Sequence, residues 1–186
     1  MKEVILNKKL AFTGNVVLPN KDIFPRELIT GLILDSVFIT NERRNNNTLD
    51  TRYQDYKLEH SNVKTLLNTY FIDYLSALKN IKVIQMESWG NYLMPNESTQ
   101  IRNNFYYKDL NYVPCCQAIY GTFIKDTIDI VLEINPYNRK VFKLKNNDYI
   151  IFDSDINYFI GKNNSNNPAL LFTTTFAEPS QIGNFI

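Results

Sequence analysis

At 186 residues the chain has room for one domain with a sizeable core and not for two comfortable ones. Its 44% hydrophobic and 21% charged residues are ordinary for a globular protein. With 20 Lys+Arg against 19 Asp+Glu the net charge is +1, which excludes a broad positive field that recruits nucleic acid or an anionic membrane.

Residues 2–18 carry the apolar stretches Val4-Ile5-Leu6, Leu10-Ala11-Phe12 and Val16-Val17-Leu18, which predict an early strand or hairpin. Nothing before them has the long apolar stretch of a signal peptide, and no run approaches a membrane span, so no membrane is expected as a partner. Pro25 ahead of Arg26-Glu27-Leu28 looks like a helix start. The continuation to Leu34 is ambiguous, because Ile favours strands and Gly31 weakens a helix. Residues 41–57 are polar and read as an exposed loop, and Arg43-Arg44 within them as a solvated turn. His60, the single histidine, reads as a cap-region or surface residue.

From Ser61 the apolar residues Val63, Leu66, Leu67, Tyr70, Phe71, Tyr74, Leu75 and Leu78 follow the spacing of an amphipathic helix over about 61–79. The pattern then changes to strands, predicted near 81–93, 102–107, 113–124, 128–134, 139–145, 148–153, 157–161 and 169–176. Met94-Pro95-Asn96-Glu97, Asn135-Pro136-Tyr137-Asn138, Lys145-Asn146-Asn147-Asp148 and the stretch from Gly161 to Pro168 supply the turns. Short strands at this spacing predict a mainly β (α+β) jelly roll with one flanking helix. The chain reads as a single domain, 1–186. Within it, N-terminal strands and helix (1–80) pack on a barrel (81–176), followed by a tail (177–186).

Cys115 and Cys116 are adjacent, and neighbours on a strand point to opposite faces, so no bond between them is expected. Two thiols alone make no zinc site. Asp148, Asp153 and Asp155 could supply oxygen ligands to a hard cation, but a solvated loop explains them as well. The 25 asparagines, 12 tyrosines and 12 phenylalanines are read from AT-rich codons and suit a virus with an AT-rich genome.

Ser88-Trp89-Gly90-Asn91-Tyr92, the strand Ala118-Ile119-Tyr120-Gly121-Thr122-Phe123 and the segment Asp148 to Tyr158 carry a resemblance. In order and spacing they are similar to the small 2-oxoglutarate/Fe(II) oxygenase-like proteins of tailed phages. Lys162-Asn163-Asn164-Ser165 resembles that family's turn, and Leu170 to Phe176 its closing strand. The resemblance implies a double-stranded β-helix. It also implies two metal ligands at Arg102 and Asn104, a distal histidine at Tyr158, and a cosubstrate-binding arginine at Ala169.

Those four residues depart from the family's chemistry. Iron in such a site is held by two histidines and a carboxylate, and this chain has one histidine. A guanidinium repels a dication, a phenol binds metal only once deprotonated, and alanine cannot clamp a carboxylate. The expectation is therefore a vestigial pocket with neither metal nor cofactor. The protein is expected to be a non-catalytic structural component of a tailed-phage virion, assembled in the host cytoplasm with other virion proteins or with copies of itself. One alternative is a module that binds a ligand in the old pocket. A second is an active oxygenase with an atypical site.

Overall fold

The computed structural model describes residues 2–6, 9–17, 49–50, 62–80, 82–103, 113–135 and 137–181. The helix start expected at Pro25, His60, Asn104 and most of the expected loop 41–57 lie outside the described residues.

Strands β1 (Lys2–Leu6) and β2 (Lys9–Asn15) form the N-terminal hairpin, and β3 (Leu49–Asp50) is a short strand where a loop was expected. Helix α1 (Asn62–Lys79) leads to β4 (Ile84–Leu93), β5 (Cys116–Phe123), β6 (Ile128–Asn135) and β7 (Asn138–Leu144). The chain continues through β8 (Asp148–Asp153), β9 (Asn157–Ile160) and β10 (Ala169–Ala177). Among the described residues the strands make two antiparallel sheets, β1-β2-β8-β5-β10-β4-β3 and β7-β6-β9. The expected strand at 102–107 is reduced, in its described part, to a bridge in which Arg102 faces Tyr158 and extends the small sheet past β9.

Each of the two cores follows from strand alternation. On the outer face of the large sheet Phe12, Ala118, Tyr120, Tyr149, Phe172 and Phe176 meet Leu67, Phe71 and Leu75 of α1. On the inner face Ile119, Ile150, Phe152 and Leu171 meet Ile130, Leu132, Tyr158 and Ile160 of the small sheet. Strand β10 is buried along its whole length, because a sheet covered on both faces leaves neither side of its central strand in water. The helix stripe is narrower than predicted: Leu66 and Leu78 are exposed, while Tyr70 and Tyr74 pack at its margin. Asn80 ends the helix in the left-handed region at φ 53°, where asparagine is one of the few tolerated residues.

The mainly β jelly roll with a flanking helix is what the chain forms. Among the described residues no helix is long and apolar enough to cross a membrane.

Candidate functional site

Of the sequence-predicted positions, Tyr158 and Ala169 belong to the inner core between the two sheets, and Arg102 pairs with Tyr158. Arg102 and Tyr158 are joined by two backbone hydrogen bonds: the Arg102 N–H donates to the Tyr158 carbonyl at 2.7 Å, and the Tyr158 N–H donates back at 2.9 Å. Residues paired in this way share a face. Tyr158 is buried in the inner core, its ring edge-on to Phe152 at 5.4 Å, and Arg102 is half-buried on that same side. Beside them Asn103 Nδ2 donates to Asn157 Oδ1 at 2.8 Å and braces the start of β9.

Ala169 reaches the same inner core from the large sheet. It opens β10 opposite Leu93, beyond the turn that follows the far end of β9. That turn is tied by Asn163, whose Nδ2 donates to the carbonyls of Leu93 (3.1 Å) and Asn167 (2.8 Å). The structure thus pairs Arg102 directly with Tyr158 and places Ala169 in the same inner core, on the opposite sheet.

Sequence reasoning missed a row of polar side chains on the inner face of the large sheet. Asn91 and Trp89 on β4 stand opposite Leu171 and Thr173 on β10, and Thr175 stands opposite Gln117 on β5, which in turn faces Phe152 on β8. Asn91, Gln117, Thr173 and Thr175 are each 0–1% exposed. Asn91 Nδ2 donates to Thr173 Oγ1 at 2.9 Å, and the Glu87 N–H reaches Thr175 Oγ1 at 3.3 Å across a bulge in β10–β4 pairing. The other end of the Asn91 amide, Oδ1, is buried with no hydrogen-bond partner. Turning the amide by half a rotation only exchanges which end is unpaired. Thr173-Thr174-Thr175, three hydroxyls in an otherwise apolar strand, was the legible signal.

Thr174 points the other way and belongs to the outer face, where it accepts from Ser88 Oγ at 3.0 Å. On that outer face the Tyr120 hydroxyl lies 3.1 Å from the Val16 carbonyl and 3.0 Å from Asn147 Oδ1. Burial pushes its pKa up to about 12. Tyr149, 3.3 Å from the Tyr70 hydroxyl, is also raised, first by burial and then by that contact.

The iron of the oxygenase fold does not fit the described residues. Among them no three His, Cys, Asp or Glu side chains converge, and Arg102 and Tyr158 stand where the resemblance puts two of the ligands. Of the three aspartates weighed for a hard cation, Asp148 is engaged as a turn cap, accepting from Asn15 Nδ2 and the Lys145 N–H at 2.9 Å each.

The sequence matches no known family profile and no curated protein. Solved structures do match. A viral collagen prolyl hydroxylase from Paramecium Bursaria Chlorella virus-1 has TM-score 0.65 and 12% identity, over 90% of this chain and 96% of that one. The non-heme alpha ketoglutarate dependent carbocyclase SnoK of nogalamycin biosynthesis has TM-score 0.69 and 9% identity, over 90% and 79%. A 2OG-Fe(II) oxygenase family oxidoreductase from Burkholderia pseudomallei has TM-score 0.52 and 9% identity. It is matched over 62% of this chain, which spans about half (55%) of its length. The fold is that of the 2-oxoglutarate/Fe(II) oxygenases.

These neighbours overturn the expectation of a non-catalytic virion component: each is an enzyme, and none is a particle protein. The expectation weighed Arg102, Asn104, Tyr158 and Ala169 alone and left out the amides and hydroxyls buried on the inner face, groups that are costly to bury without partners.

Proposed function

We propose that this protein holds a small polar organic molecule, a carboxylate or a sugar, between its two sheets, and that this is the site of an enzymatic activity. One observation carries the reading: the Asn91 amide, 1% exposed, with one end unpaired and the other on Thr173, on the face that also carries Gln117 and Thr175. A buried amide left without a partner costs about 1–3 kcal/mol, and a ligand hydroxyl donating to Asn91 Oδ1 removes that cost. Threonine hydroxyls can donate to a carboxylate or accept from a sugar. Arg102, on the inner side beside Tyr158, adds positive charge suited to an acid. The departures at Arg102, Tyr158 and Ala169 support chemistry other than that of the usual iron site, so no step is routed through iron.

Trp89, the sole tryptophan, sits in this row and reports on it directly. Its fluorescence is followed while 2-oxoglutarate, succinate, hydroxy acids and hexoses are added, and the same mixtures are assayed for product. At least one compound is expected to saturate the signal. Asn91→Leu is expected to weaken that compound at least tenfold, about 1.4 kcal/mol, without lowering the melting temperature. A flat response across the panel, or binding indifferent to Asn91→Leu, would overturn the proposal.

A further inference from the structure

Alternation along a strand was expected to separate Cys115 from Cys116. Cys115, however, precedes β5, where alternation does not hold, and both side chains pack on the helix-side core. Their Sγ atoms lie 3.6 Å apart. Cys116 is buried and Cys115 half-buried.

We propose that this pair is a reversible redox site, oxidised to a vicinal disulfide by a low-molecular-weight disulfide such as glutathione disulfide. Cys115, the more accessible thiol, gives up its proton and its thiolate attacks one glutathione sulfur. One glutathione thiolate leaves, and Cys115 carries a mixed disulfide. The Cys116 thiolate then attacks Cys115 Sγ and expels the second glutathione. The two cysteine protons end on two glutathione thiols; the cysteines lose two electrons, and glutathione disulfide gains the same two.

The geometry marks the bond as labile. Consecutive Cα atoms are about 3.8 Å apart, below the ~4.4–6.8 Å at which disulfides sit without strain. Strained disulfides are easily reduced, which suits switching and not structural support. Ring closure also turns the Cys115–Cys116 peptide. Its carbonyl accepts the Ser154 N–H at 3.2 Å, in the turn joining β8 to β9, while the Cys115 N–H donates to the Phe176 carbonyl at 2.8 Å. The Ser154 tie is made by the carbonyl of the turning peptide itself and is expected to loosen. This site is independent of the ligand proposed above.

The test equilibrates the full chain in glutathione redox buffers, quenches with acid, alkylates, and reads intact mass and the peptide holding both cysteines. The wild type is expected to become two hydrogens lighter, reversibly, and only in buffers more oxidising than those that preserve structural disulfides. Cys116→Ala is expected to stop with one glutathionyl group on Cys115, and Cys115→Ala to stay unmodified. The Ser154 amide is expected to exchange faster in the oxidised protein. Glutathionylated wild type that never cyclises, cysteine-linked dimers, or thiols that react only after unfolding would each sink the proposal.

Discussion

At the scale of single residues, the polar groups that matter are those whose partners come from far along the chain. Asn163 reads in the sequence as one asparagine in a run, yet it is 2% exposed and holds the Leu93 carbonyl and the Ser165 N–H as well as Asn167. Asn163→Ala leaves buried backbone groups without partners and is expected to destabilise the protein by about 2 kcal/mol, read from urea melts. Tyr120 and Tyr149 make a second residue-scale prediction. Both pKa values are raised in the fold, Tyr120 from the ordinary 10.0 to about 12. Above pH 10 the unfolded chain therefore releases these protons before the native chain does, and stability falls with rising pH. The contribution of Tyr120 is complete below pH 10 and is lost through about pH 12, and that of Tyr149, raised further, is lost at higher pH. Tyrosinate absorbance should show them ionising last and together with unfolding; ionisation in a still-folded protein would contradict the burial argument.

At the scale of elements, helix α1 shows how far periodicity reaches. Its spacing identified the helix and its buried residues, but not that Leu66 and Leu78 stay exposed, because stripe width depends on the surface it meets. That surface is aromatic. Phe71 packs edge-on to Tyr149 at 5.3 Å and to Phe176 at 6.3 Å, and Tyr70 and Tyr74 add contacts to Tyr149. Phe71→Ala removes the ring at the centre of this cluster and is expected to cost about 3–5 kcal/mol, whereas Leu78→Ala should change stability little. Equal losses in thermal melts would mean that α1 is not held by this face. The cysteine pair teaches the same lesson at an element's end. Period-two reasoning holds inside β5 and fails one residue before it, which is where the two thiols meet.

At the scale of the whole molecule, one large sheet carries a core on each face, so the two cores are expected to be lost together. Trp89 reports the inner core and α1 the outer; fluorescence and helical circular dichroism should give one coincident transition, and two separate midpoints would show the faces melting independently. Most strand positions, the helix and the jelly-roll class are legible in the sequence alone, since alternation, helical spacing and turn residues are local properties. The sequence also identified Arg102 and Tyr158 as positions of interest, though not that the backbone pairs them. Which side of each strand faces which core, and so the buried row of Asn91, Gln117, Thr173 and Thr175, was decided only by the tertiary structure. Those residues lie on three strands far apart in the chain, and only the register of β4, β10 and β5 brings them onto one face.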